Sequence, residues 1–346
     1  MTKKLSIILT FDFAHSLEPF SLFDIGQGKA YFNIDQSDEN FMIDYQGYLE
    51  NELDDLVALC KKDKLPISVY FSLPFLDMLE KHASRILTKL KEAIKQGSLS
   101  LLGGTANHGL SSIYSTTHFK EEIQHHTKRL EKLFGTKPES FYNTENLYCN
   151  EITETLLDLQ FQSLFAGTIE WYLWKDKQKR VFHTTSDKSQ KVFLLDNDEG
   201  ASLFSENDRN THFLQFGLEE MRRLGGIESI VKKATKKADL ISLKEQVSET
   251  GDTTVYNIKA PVMGSTHGLT LESFHGNALQ NRSLKEYFAL EEKVRKSKDK
   301  GLIQDWARLG HIAYLLKMNK DEEQHILPYD FYNYYMNILN DLSLKA

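Results

Sequence analysis

Cysteine is scarce in this chain of 346 residues: Cys60 and Cys149 form no CxxC pair and no disulfide framework, which predicts a reducing, cytoplasmic setting. Positive charge is not in excess either. Lysine and arginine number 42 against 49 aspartates and glutamates, a formal net charge of −7, and a nucleic-acid partner would call for a basic face. No stretch approaches the ~18 consecutive apolar residues of a membrane span. The opening MTKKLSIILTFDF is too short in its apolar run, too interrupted, and lacks the small-residue cleavage site of a signal peptide. Several motifs with strong chemistry are missing as well: HExxH, GxSxG, GxGxxG and GxxxxGK, with DIGQGK (24–29) only superficially like a phosphate loop.

Metal chemistry finds little support. TFD (10–12) has the form of the metal-binding aspartate of polysaccharide deacetylases, but those enzymes also place two histidines on one helical face. No histidine pair here is spaced i, i+4, and the adjacent His125 and His126 point to different faces. Neither a metal nor another cofactor is expected.

Hydrophobic patterning is abundant. LSIILTF (5–11), ISVYF (67–71), SLSLL (98–102) and FQSLFA (161–166) are short, nearly continuous apolar runs, the pattern of strands buried on both faces. Helical periods lie between them. The clearest puts Phe119, Ile123, Leu130, Leu133 and Phe134 on one stripe, with Gly135 and Pro138 as stop signals. Strand alternating with helix predicts a largely parallel sheet, barrel or open. The charge-rich stretch 231–254 predicts a solvated helix and loop. Beyond it, LKEYFALEEKVRKSKD, LIQDWARLGHIAYLLKM and DFYNYYMNILNDL are helical periods without intervening strands. We therefore expect a barrel-like domain over residues 1–260 and a helical C-terminal domain over 261–346.

Polar residues recur just past the strand ends, where parallel barrels carry their active groups. Asp12 and His15 follow the first strand, His108 lies in GGTANHGLSS, and Asn143 and Glu145 follow SFY (140–142). Each has a structural alternative: a capping aspartate, a buried histidine, a hydrogen-bonded carboxylate. Trp171 and Trp174 in IEWYLWKD are flat and amphipathic, suited to stacking on sugar rings or to core packing.

Five separated segments, in order, carry a family likeness: SLFDIGQGKAYFN, GGTANHGLSSIYS, LEKLFGTKPESFYNTENLYCNEI, LKEYFALEEKVRKSKD and PYDFYNYYMNIL. With them the chain resembles glycoside hydrolase family 57, in particular its α-amylase-like branch. The resemblance implies an incomplete barrel of seven parallel strands followed by a helical bundle, α-glucan as the ligand, and a retaining mechanism without cofactor. Retention takes two carboxyl groups, a nucleophile and a proton donor, roughly 5–5.5 Å apart. FYNTENLYCN matches the nucleophile motif, which implies that Glu145 is the nucleophile, with His108 and Asn143 as sugar contacts. The donor motif fits THFLQFGLEEM (211–221), with Gln215 where the family has its aspartate, and Glu219 and Glu220 further on as candidates for a relocated acid. The family's closing Asp-His pair falls on Ala313 and Tyr314 in HIAYLL, and its first histidine is displaced by one residue, to His15. The expectation is thus a glucan-directed protein with weak or no hydrolysis. An active hydrolase or transferase with a relocated acid is the alternative.

Overall fold

The computed structural model describes residues 3–63, 65–169, 172–173, 179–196, 210–250, 253–264, 269–319 and 326–346. Eleven strands occur among them: β1 Lys4–Phe11, β2 Ser16–Leu17, β3 Phe32–Asn33, β4 Ile67–Phe71, β5 Leu99–Gly103, β6 Ser140–Phe141, β7 Ser163–Gly167, β8 Val181–His183, β9 Lys191–Leu195, β10 Thr211–Phe216 and β11 Asp239–Leu240. Seven of them run parallel in the order β10-β1-β4-β5-β6-β7-β9. β8 adds to β9 in the antiparallel sense, β11 lies beside the start of β1, and β2 and β3 form a separate small hairpin.

Alternation along the strands sorts side chains into two layers. From β1, Leu5, Ile7, Leu9 and Phe11 join a cluster with the surrounding helices, as do Ile67, Val69 and Phe71 from β4. Ile8, Tyr70, Leu102, Phe165, Phe193 and Phe213, one from each of six strands, meet in a second cluster that fills the barrel. Gln215 is two residues beyond Phe213, so it shares that inward face near the C-terminal end of β10.

Closure between β9 and β10 does not use a continuous ladder. Asp196 N–H donates to Phe213 O at 2.9 Å, Phe213 N–H donates to Asp196 Oδ2 at 3.1 Å, and the Phe193 and Phe213 rings stack at 4.6 Å. Arg180 Nε reaches Asp196 Oδ1 at 2.6 Å, and His212 Nδ1 lies 3.3 Å from Oδ2. Burial alone would raise the Asp196 pKa, but the hydrogen bond with His212 and the Arg180 charge outweigh it and hold the carboxyl below its ordinary value. Asp196→Asn is expected to cost about 3–5 kcal/mol, as losing one member of a buried ion pair does. Because the folded pKa is depressed, this stabilisation is complete above the unfolded value of about 3.9 and is lost as pH falls through the folded one. The gap in urea midpoint between the two proteins should accordingly be full at pH 7 and narrow below about pH 4.

The helical region that follows includes Ala278–Ala289, Lys300–Leu309, Ile312–Leu316 and Pro328–Lys345. It shares a buried cluster with Phe20, Tyr31 and Phe32 from the excursion after β1, centred on Tyr287, Trp306 and Tyr335. Asp341 of the last helix accepts from Tyr31 Oη and from Gly26 N–H, both at 2.6 Å, which places the DIGQGK glycines in a docking turn.

One expectation needs correction. The stretch 231–254 is not merely a solvated helix and loop. It contains β11 and the helix Leu243–Glu249, and Val231, Ala234, Ala238 and Leu243 are buried. Lysines on the opposite face mask that apolar stripe in the sequence.

Candidate active site at the barrel mouth

Glu145 sits in the single turn Thr144–Asn146 just past β6 and is 7% exposed. Its φ is +48°, and that of Asn146 is +53°, so two consecutive non-glycine residues occupy the left-handed region. His108, after β5, has φ +48°. Such conformations persist where the surroundings impose them, and three of the five found among the described residues meet here.

Asn143 supplies part of that constraint. Its Oδ1 accepts from Thr144 N–H at 3.0 Å, while its Nδ2 donates to Leu147 O at 2.8 Å and to Ser112 Oγ at 3.2 Å. Fully buried and committed to the backbone, Asn143 holds the turn. Gly264 supplies more: its N–H donates to Glu145 O at 3.2 Å. A Cβ on Gly264 would fall 1.9 Å from the Cα of Gly167, at the end of β7, so only glycine permits the two backbones to pass this closely.

Around the carboxylate, His108 Nε2 lies 3.4 Å from Glu145 Oε1. The His108 ring stacks on Tyr142 at 6.0 Å and lies 5.9 Å from both Tyr70 and His311. Burial, followed by the Glu145 charge, pushes the Tyr142 hydroxyl pKa well up, so it stays protonated. Gln215 completes this wall: its Oε1 accepts from Asn146 Nδ2 at 2.7 Å, and its Nε2 donates to Tyr142 Oη at 3.2 Å. The position read as that of the missing acid is thus tied by Asn146 to the turn that carries Glu145.

Asp12, at the end of β1, is 2.9 Å from His311 Nε2. Ala313 N–H donates to His311 Nδ1, which leaves Nε2 as the ring nitrogen facing the carboxylate. Desolvation would raise the Asp12 pKa, but His311, His108 and a hydrogen bond from Ser72 overcome it and hold the group well below the usual range. Asp12 is therefore charged near neutral pH. His15 is packed between Phe13 and Phe32, and burial, then the Arg308 and His311 charges, lower its pKa to about 4. Neither ring nitrogen of His15 has a hydrogen-bond partner among the described residues, which is unusual for a buried histidine.

Of the residues singled out by sequence, the structure brings Glu145, His108, Asn143, Asp12 and Gln215 to the mouth, and His15 is linked to them through Tyr314, whose Oη donates to His15 O at 2.7 Å. Glu219 is exposed on the helix Leu218–Leu224, and Glu220 Oε2 accepts from Gly217 N–H in that helix's own capping box. Trp171 and Trp174 lie outside the described residues. His311, Asn146, Tyr142 and Tyr70 were missed. His311 was legible in principle, as the first residue of HIAYLL. Ile312 N–H donates to His108 O at 3.2 Å, and this bond carries His311 onto the mouth.

A family model described as glycosyl hydrolase family 57 matches residues 21–231. A protein of Methanocaldococcus jannaschii, provisionally named an alpha-amylase, is 36% identical over 92 residues, a segment covering 26% of this chain and 20% of that protein. Two solved structures superpose over 99% of the chain, each at 11% identity. They are an alpha-amylase from Thermotoga maritima, TM-score 0.66 with 93% of it covered, and a GH57-type branching enzyme from Pyrococcus horikoshii, TM-score 0.68 with 88% covered. At that identity the likeness establishes the fold.

Proposed function

The chain belongs to glycosyl hydrolase family 57, and from that premise we propose that it binds α-glucan oligosaccharides at the barrel mouth, with Glu145 retained as nucleophile and no working general acid. The observation that carries the reading is the Gln215 side chain, an amide bonded to both Asn146 and Tyr142 on the wall beside Glu145. An amide is far too weak an acid to protonate a departing sugar oxygen. Glu145 would attack the anomeric carbon, with His108 Nε2 steadying its carboxylate, and the glycosidic bond would break with its electron pair left on the leaving oxygen. Only a leaving group stable as an anion departs readily under those conditions.

Sugar binding is supported separately. The polar wall formed by His108, Tyr142, Tyr70 and His311 suits a hydroxyl-rich ligand. The other reading, an active hydrolase or transferase with a relocated acid, would need a protonated carboxyl at the mouth. Among the described residues, Asp12 is a carboxyl grouped there with His108 and His311, and the charges of those two imidazoles favour its deprotonated form. Calorimetry with maltooligosaccharides tests the proposal: saturable heat is expected, weakened at least tenfold by His108→Ala. No heat at millimolar ligand would contradict it.

A further inference from the structure

A cavity of about 470 Å3 opens where the helix Lys300–Leu309 crosses the helices Leu73–His82 and Thr116–Phe134. Its size falls in the range of small-molecule sites, roughly 300–1,000 Å3. Asn107 lines it, whereas the next residue, His108, turns to Glu145, which is not among its lining residues.

Packing gaps between helices are small and apolar. This cavity is larger, and its lining mixes charged with apolar side chains. Arg129, Lys300 and Arg308 on its wall stand against Asp77, Glu121 and Glu122, three cations and three carboxyls. Some of these charges already answer one another: Arg129 meets Asp77 at 3.1 Å, and Glu121 pairs with Arg295. Asn107, His118, His125 and Gln304 add neutral donors and acceptors, and Leu73, Pro74, Ile303 and Ala307 give an apolar surface.

We propose that this cavity is a second binding site for a neutral, hydroxyl-rich ligand of oligosaccharide size. Carboxyls and cationic groups on one wall suit hydroxyls, which both donate and accept, better than a small ion of one charge. The apolar surface can pack against the C–H face of a sugar ring. Glu122 fits the same role: it is buried, accepts from Asn107 Nδ2 at 2.7 Å, and burial pushes its pKa up to about 7, so near neutrality it serves as donor or acceptor. That the ligand is an α-glucan rests on the function proposed above.

Filling the cavity tests this. Titrations of the full chain with maltotriose, and separately with glucose 6-phosphate, are compared for the native protein, Ala307→Trp and Gln304→Trp. Gln304 is exposed, so its variant serves if Ala307→Trp does not fold. Two maltotriose sites are expected on the native protein and one on each variant, with at least a tenfold loss at the missing site. A single native site abolished by both variants supports the cavity site while contradicting glucan binding at Glu145. Unchanged binding in both variants, absence of any saccharide binding, or preference for glucose 6-phosphate would overturn the inference.

Discussion

Nitrophenyl α-glucosides are expected to be cleaved slowly by this protein, while starch stays almost untouched. A nitrophenolate leaves nearly unaided, whereas a sugar alkoxide needs a proton, and absence of a general acid typically removes about 10²–10⁴ in rate. The penalty should therefore fall on starch and largely spare the aryl substrate. Glu145→Gln is expected to lower the residual aryl activity by on the order of 10⁴, because it removes the proposed nucleophile. Its neighbours at the mouth keep their own supports: His108 is held through Ile312, and Gln215 by Asn146 and Tyr142. Stability should change much less than rate. Equal efficiency on starch and on the aryl glucoside would contradict the missing acid, and undiminished activity in Glu145→Gln would contradict the nucleophile.

The second large effect runs in the opposite direction. Gln215→Glu exchanges an amide for a carboxyl of the same shape on the inward face of β10. The new group would keep the hydrogen bond from Asn146 Nδ2 and would lie near the Glu145 charge. Like charge and burial both raise a carboxyl pKa, which is what a proton donor requires. Starch cleavage should rise by about 10²–10⁴, with little change on the aryl glucoside. A folded Gln215→Glu protein with no gain on starch would show that the wall lacks the spacing of a retaining pair, roughly 5–5.5 Å between carboxyls.

Parallel strands and their helices were legible because burial on both faces leaves continuous apolar runs, as in ISVYF, which is β4 to the residue. β9 was not read: KVFLL follows the polar run SDKSQ, and its antiparallel neighbour β8 spans only three residues. THFLQF was placed through the family likeness alone, yet its alternation puts Gln215 inward once the strand is known. At the site, Glu145 and His108 stood out by motif. The backbone strain that frames them leaves no mark in composition, since glutamate and histidine do not announce a positive φ. His311 escaped for another reason. It reaches the mouth from 166 positions beyond Glu145 through contacts that local pattern does not encode, among them the bond from Ile312 N–H to His108 O. Asn143 also stood out by motif, and its bonds to Thr144 N–H and Leu147 O show what it does for the turn.

Covalent trapping tests the role of Glu145 most directly. A fluorinated α-glucosyl fluoride carries a leaving group that departs without a proton and a ring fluorine that slows the later hydrolysis, so a nucleophile without an acid partner should still be captured. Peptide mass spectrometry is expected to find one glycosyl adduct, on Glu145, that Glu145→Gln does not form. An adduct on another residue, or none after prolonged incubation of protein shown by calorimetry to bind the sugar, would contradict Glu145 as the nucleophile.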